Sequence, residues 1–474
     1  MSAKTTDVVS AASLSLWRVA LLAVTGRRHD YTTESLDRAV LLLAVPMVLA
    51  MLADSLFVIV NIFWVSRLGS EAVAVVGLTE AVMSLIYAVA IGMSFAATAI
   101  VARRVGENDA LESAARSAGQ VIVLGLIVST VLGLVLAVFA AEILRALGAD
   151  PTVVALGTDF ARVMFATNAT VFLVVLINAI FRGAGDAVLA MRVLWLANGI
   201  NVVLAPCFIF GWGPFPQLGV TGAAVATALS RGIGVLYQVW ILTGARSRVR
   251  VRLRHLKPVA RDLKLIMSTS ASGVAQLVIS TTSGIGLFSI AALSGTVVLA
   301  GCTIAMRVVQ FAMLPAFGLA QAAATLVGQN LGAGAPERAA QAVRIAARLN
   351  VIFLGAVGAL LFVLAAPIAG LFTAEPLVLE EATLALRIVS IGFPLYAAGM
   401  CMEAAFNGAG ETSTPARLHF FCFWLGRIPL AWLLAVVFEF GAIGVYIAVP
   451  VSFAALALWS AILFMRGSWK KHRL

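Results

Sequence analysis

Apolar residues run along this chain in long blocks, cut by short polar or Gly/Pro-containing breaks. The blocks fall at 38–64, 72–102, 117–141, 158–181, 189–211, 219–244, 263–291, 297–328, 342–366, 381–407, 415–438 and 441–465. A helix rises about 1.5 Å per residue, so about 20 apolar residues cross about 30 Å of hydrocarbon. The pattern predicts an all-α integral membrane protein with twelve transmembrane helices. Several blocks exceed the length a bilayer needs, so tilt or protruding ends are expected.

Composition agrees. Of 474 residues, 62% are hydrophobic and 12% charged, against about 45–50% and about 25% in a soluble domain. A water-soluble core cannot hide that much apolar surface. Cys207, Cys302, Cys401 and Cys422 are isolated within apolar runs, which reads as packing rather than a disulfide framework or a metal site.

The net charge of +11 would suggest nucleic acid in a soluble chain, but its placement argues otherwise. Cationic residues gather in alternate loops: Arg27, Arg28 and Arg38; Arg103, Arg104 and Arg116; Arg182 and Arg192; Arg338, Arg344 and Arg348; Arg466, Lys470 and Lys471. The opposite loops hold little beyond Arg67, Arg145 and Arg162. Translocation disfavours cationic loops, so the rich side is expected to be cytoplasmic, with both termini inside and a plasma (inner) membrane location. The basic stretch 245–264 reads as a linker touching anionic headgroups, not as a nucleic-acid site. Residues 11–25 are apolar but short, and an interfacial helix is expected there.

The halves resemble each other. Phe181-Arg-Gly-Ala-Gly-Asp186 recurs as Phe406-Asn-Gly-Ala-Gly-Glu411, and Gly69 and Gly106 recur as Gly295 and Gly332, at offsets of 225 to 226. Each copy holds six spans and returns to its starting side, so both point the same way. Two six-helix bundles related by an axis along the membrane normal are expected, with substrate between them near mid-depth. The organisation is then an N-terminal segment 1–37, a bundle 38–244, a cytoplasmic linker 245–262, a bundle 263–466 and a basic tail 467–474.

Charges at bilayer depth are costly, about 2.5–3.5 kcal/mol on insertion scales, and normally face protein or a wet cavity. Asp54 sits midway along the first span with no cation within a turn, and Asn61 follows two turns later on nearly the same face. Two readings stand: a proton or cation site facing a cavity, or a buried carboxyl paired with a distant Arg or hydroxyl. Glu80, Ser84, Tyr87 and Ser94 form a stripe that suits either a cavity wall or close helix packing. Gln276 is the one large polar residue of its span, able to orient substrate or to bridge helices. Arg307, with Gln310 beside it, calls for an anionic partner, either Glu403 or a substrate. Glu403 lies close to its helix end, where water access is an alternative. Arg231 and Arg427 are explained equally by pairing, snorkelling or function. Asn198 and Asn201 precede Pro206, which frees a carbonyl near Val202 and offers either a cation ligand or a plain kink. His29, His255, His419 and His472 form no catalytic set, and no P-loop is present. An ion gradient is therefore the expected energy source, with no ATPase subunit, no cofactor and no enzymatic activity.

These residues resemble the multidrug and toxic compound extrusion (MATE) family of secondary antiporters. The resemblance covers about 38–465 and rests on Pro46 with Asn61-Ile-Phe-Trp-Val-Ser-Arg-Leu-Gly69, on the two Phe-x-Gly-Ala-Gly motifs, on Leu218-Gly-Val-Thr-Gly-Ala-Ala224 and on Ala324-Thr-Leu-Val-Gly-Gln-Asn-Leu-Gly332. It implies a V-shaped pair of bundles, acting as a monomer, that exports cationic or amphipathic compounds in exchange for H⁺ or Na⁺. Family members commonly carry Asp at the positions matching Asn61 and Ala205, so two carboxylates of the usual N-half site are missing here. Asp54 is expected to take over the exchange with Asn61 and Asn201 nearby, while Glu80, Tyr87, Gln276, Arg307 and Glu403 line the cavity. A flippase for a lipid-linked precursor and a channel are the alternatives.

Overall fold

A computed structural model describes residues 31–107, 111–244 and 246–472; the interfacial helix expected at 11–25 lies outside them. The described residues are helical almost throughout. Numbering the spans in chain order, α1 is Leu36–Ser66, α2 Ser70–Gly106, α3 Leu111–Val138, α4 Pro151–Ala184, α5 Ala187–Phe210 and α6 Val220–Thr243. The second copy comprises α7 Ala260–Leu293, α8 Thr296–Gly332, α9 Pro336–Val363, α10 Pro376–Ser390 with Phe393–Ala409, α11 Ser413–Val437 and α12 Gly441–Arg466. Eleven of these are long and apolar enough to cross a membrane, and the two pieces of α10, bent by 51°, make the twelfth. The sequence marks this bend only by Gly392 and Pro394, and it predicts one straight span at 381–407. α11 also departs from a plain helix, because Phe420–Arg427 and Leu433–Val437 are π-helical.

The outer surface is apolar where lipid would touch it. On α3, Ile127, Val131, Leu134, Val135 and Val138 are all more than half exposed and share one face. No aqueous surface tolerates such stripes, repeated on helix after helix.

The duplicated motifs fold identically. Gly185 (φ 86°) and Gly410 (φ 84°) end α4 and α10 in the left-handed conformation that favours glycine. The next amide closes each cap, Asp186 N donating to Phe181 O at 2.8 Å and Glu411 N to Phe406 O at 2.9 Å. The linker is anchored rather than loose. Gln120 of α3 donates to the carbonyls of His255 and Lys257, both at 2.8 Å, and accepts from Val259 N at 2.9 Å.

The two bundles meet along α1, α2, α7 and α8, from mid-helix to the end that carries both chain termini. Small residues let backbones touch there. Gly92 of α2 abuts Gly273 and Val274 of α7, where any added Cβ would come within 2.5 Å of backbone. Gly318 of α8 lies on Met47 and Val48 of α1, while Gly106 and Gly332 each press on the opposing helix backbone at Gln329 and Arg103. Residues 92–102 and 318–331 are buried without interruption. Gln329 seals this end by donating to Gly183 O at 2.9 Å. Tyr31 spans both bundles, its hydroxyl donating to Gly185 O at 3.3 Å and its carbonyl accepting from Arg338 at 3.4 Å. Toward the other end the same helices lose their cover. Glu71, Val73, Gly77, Glu80, Ser84 and Leu85 of α2 are exposed, and a Cβ on Gly77 or Gly284 would meet nothing. The cleft is shut at the terminal-bearing end and open at the opposite one.

Candidate functional site in the cleft

The expected intramembrane residues divide between two clusters, one in each bundle. In the first, Asp54 is half-buried on α1. It lies two turns outward from the Met47–Val48 seam on nearly the same face, about 10 Å along the helix. Asn198 of α5 donates to its Oδ1 at 3.0 Å. The guanidinium groups of Arg231 on α6 and Arg182 at the end of α4 both act on it electrostatically. Asp54 borders the open cleft, with distant cations acting on it. Neither arginine could be foreseen, since each is more than a hundred residues away in the chain.

Arg231 organises the rest of this wall. Its guanidinium senses the charge of Glu80. It also sits over the rings of Tyr87 and Phe57, at 5.5 and 5.6 Å. Glu80 is exposed and Tyr87 half-buried, so both offer surface to a molecule in the cleft. Ser84, also exposed, turns its hydroxyl back onto Ala81 O at 2.7 Å.

Asn201 stands apart from Asp54. It is buried and donates to Thr227 at 3.2 Å and to Ser230 at 3.3 Å, joining α5 to α6. The carbonyl oxygen of Asn61 is buried with no hydrogen-bond partner among the described residues. No hydrogen bond links Asn61, Asp54 and Asn201 to one another among those residues, so the three expected coupling groups are not brought together as one ligand set. Nor do any three His, Cys, Asp or Glu side chains gather as a metal site among the described residues.

Arg307 and Gln310 of α8 are exposed. Arg307 lies three turns outward from Gly318 on nearly the same face, the face that meets α1 at the seam. It therefore looks across the open cleft toward the level of Asp54 and Asn61. Glu403, suggested as its partner, is elsewhere.

That second cluster is sealed inside the C-terminal bundle. Glu403 of α10 and His419 of α11 are each 7% exposed, with Oε1 and Nε2 2.9 Å apart. Ser280 of α7 lies 2.6 Å from the other ring nitrogen, and the Gln276 amide lies 3.5 Å from the first. Gln276 thus bridges helices, the packing role the sequence left open for it. Arg427 donates to Ser452 at 2.8 Å, with its guanidinium 4.0 Å from the Phe423 ring centre. Sequence reasoning missed His419 as a functional candidate, because its partners lie on two other helices. The only local signal was an imidazole at the head of an apolar run.

A sequence model of the MatE family matches the chain twice, over 46–207 and 271–433. The matches begin 225 residues apart, the spacing of the internal repeat. Among curated relatives, the probable multidrug resistance protein NorM of Thermotoga maritima is 26% identical, the alignment covering 90% of this chain and 92% of that one. The FAD transporter of Shewanella oneidensis is 24% identical over 90% and 93%. Two solved structures share 28% of the sequence at a TM-score of 0.86. One is a MOP superfamily transporter from Pyrococcus furiosus described as having a binding pocket of reverse polarity, with coverage of 94% here and 98% there. The other is an outward-facing conformation of a multidrug resistance MATE family transporter, with coverage of 92% and 98%. A family match over more than half the chain, in two copies on a doubled six-helix scaffold, makes this protein a member of the MATE family of membrane transporters.

Proposed function

We propose that the protein exports cationic or amphipathic small molecules across the plasma membrane in exchange for H⁺ or Na⁺, with Asp54 as the exchanging carboxylate. The reading is supported by relatives that carry multidrug-resistance and multidrug-export names. The observation that carries it is Asp54 itself, a half-buried acid beside an open cleft, held by one amide and near two guanidinium groups. The basic loops support a cytoplasmic terminal-bearing end, and in this reading the open end faces outward.

Asp54 works by competition. Ionised, it draws a cationic substrate and keeps Arg231 engaged. A proton or Na⁺ arriving from outside neutralises it, which weakens its hold on the substrate and releases Arg231 toward Glu80 and Tyr87. The ion must favour one state by a few kcal/mol to shift the population usefully. Glu80 and Tyr87 supply charge and an aromatic face to the substrate, and Arg307 fixes any anionic part from the opposite bundle. Asn61 offers a carbonyl oxygen, a ligand for Na⁺ but not a proton carrier.

Uptake of a cationic dye into inside-out vesicles tests this, with H⁺ and Na⁺ gradients imposed separately. Wild type should concentrate dye under one of the gradients and Asp54→Asn should not. Dye movement indifferent to both gradients, or unchanged in Asp54→Asn, removes the reading.

A further inference from the structure

The linker between the bundles carries a row of cations with few acids beside it. Burial alternates along it: Ser247, Val249, Val251 and His255 are buried, while Arg246, Arg250, Arg252 and Arg254 are exposed. The neighbouring acids are already engaged. Glu112 pairs with Arg254 at 2.6 Å and lies 2.7 Å from His255 Nε2. Asp186 accepts from the Arg248 amide at 2.9 Å. Arg246, Arg250, Arg252 and Lys257 have no carboxylate within ion-pair distance among the described residues. The row is also held rigid. Arg250 Nε donates to Thr243 O at 2.9 Å, Val251 N to Leu242 O at 3.0 Å, and Arg252 N to His255 Nδ1 at 3.1 Å. With the Gln120 contacts, these bonds fix the segment before any ligand arrives, which spares binding the cost of ordering it.

Two features select a lipid surface over a soluble polyanion. Trp240 of α6 is 52% exposed, and Leu236, one turn deeper on the same side, is 70% exposed. Tryptophan collects at the membrane–water boundary. The Arg246 guanidinium stacks on this ring, 4.1 Å from its centre, which puts Arg246 at headgroup level. The second feature is Leu253. It heads the 3-10 turn Leu253–Leu256, stands between Arg252 and Arg254, and is 85% exposed. An apolar side chain set between cations on a fixed turn finds cover by entering the boundary between headgroups and acyl chains.

We propose that Arg246, Arg250 and Arg252, with Leu253, form a binding site for anionic phospholipid headgroups in the leaflet at the terminal-bearing end. The guanidinium groups take the phosphate oxygens through paired N–H donors, and Leu253 enters among the upper methylenes. A zwitterionic headgroup brings its own cation and gains less. The anchors outside the linker belong to the N-terminal bundle: Glu112 and Gln120 on α3, Asp186 before α5, and Leu242 and Thr243 on α6. A bound lipid therefore tethers that bundle to the leaflet. The chain passes to the C-terminal bundle only after Val259, whose amide Gln120 still holds, and α7 begins at Ala260. The inference stands whichever substrate or ion the cleft takes.

The test counts lipids bound to the full-length protein in a non-ionic detergent by native mass spectrometry. The probes are phosphatidylglycerol and phosphatidylcholine of equal chain length. Wild type should hold phosphatidylglycerol at least about fivefold more tightly than phosphatidylcholine, the effect of one cation near an anionic surface. Arg250→Gln combined with Arg252→Gln should weaken phosphatidylglycerol binding at least about tenfold and leave phosphatidylcholine unchanged. Other basic patches are the same in both proteins, so the difference is the linker's share. Leu253→Ser keeps every charge, should weaken both lipids, and serves if the double variant fails to fold. Equal binding of the two lipids by wild type overturns the inference. So does phosphatidylglycerol affinity unchanged in the double variant or, should that not fold, in Leu253→Ser. Displacement of the lipid by an equal concentration of inorganic phosphate would place the ligand in solution and overturn it too. Because no gradient or dye is present, such a failure would leave the antiport reading untouched.

Discussion

The pair α5–α6 and its repeat α11–α12 are built alike and equipped differently. In each, a glycine of positive φ marks the start of the second helix, Gly219 (φ 57°) just before α6 and Gly441 (φ 55°) as the first residue of α12. Eleven residues beyond each glycine stands a serine, Ser230 and Ser452. In the first copy that serine accepts from the neutral Asn201, alongside Thr227. In the second it accepts from the cationic Arg427 with no such companion. The offset that relates α1 to α7 sets Asp54 against Ser280. Duplication has kept the order of spans and redistributed the charge: the N-terminal copy carries Asp54 at the cleft wall, while the C-terminal copy carries Glu403 inside, beside an imidazole. A shared fold does not give the two bundles a shared role.

The contrast can be broken most severely at Asp54. Asp54→Asn is expected to lower gradient-driven dye accumulation at least about tenfold, since the exchanging charge is gone and the ion loses its differential affinity for the two states. Glu403→Gln should leave dye binding at the cleft intact, measured by fluorescence at equilibrium. Equal loss of binding in both variants would mean that the two clusters act as one site.

The seam comes next. Gly106→Val places two methyl groups against the Gln329 backbone. Overpacking of this kind costs about 1–3 kcal/mol, and backbone has little room to yield. The thermal midpoint should fall, followed by a thiol-reactive dye, because Cys302, Cys401 and Cys422 are buried until the bundle opens. Gly77→Val, in the open half, is the control and should change it little.

Smaller effects separate the two serines. Ser452→Ala leaves the Arg427 Nε–H without its acceptor, and hydrogen bonds to charged groups are worth about 1.5–3 kcal/mol. Ser230→Ala leaves Asn201 still bonded to Thr227 and should cost about 0.5–1.5 kcal/mol. Unfolding of both variants in a denaturing detergent should rank them in that order. The reverse order would mean that Arg427 draws its stabilisation from the Phe423 and Phe453 rings and not from the serine.

Much of this was legible in the chain because lipid imposes a simple demand. Each span needs a long apolar run, and the runs at 72–102 and 297–328 sit within α2 and α8. The repeat was legible because Gly185 and Gly410 hold a backbone conformation that other residues resist. Asp54 stood out because an acid at that depth is rare. Its partners did not, since Arg182, Asn198 and Arg231 approach through packing that no local pattern encodes. The same limit scattered the expected cavity residues. Glu80, Tyr87 and Arg307 reach open space, whereas Gln276 and Glu403 meet at His419, which no local pattern joins to them. The break within α4 at Thr167 and the bend in α10 were hidden for a different cause: both interrupt helices without interrupting hydrophobicity.

Tyr31 deserves a last consequence. Its hydroxyl is bound to one bundle and its carbonyl to the other, so the shut end cannot part while both bonds hold. Each such bond is worth about 0.5–1.5 kcal/mol. Together they would lengthen the dwell time of this conformation by roughly one to two orders of magnitude. Parting the bundles at this end therefore means breaking both contacts at Tyr31.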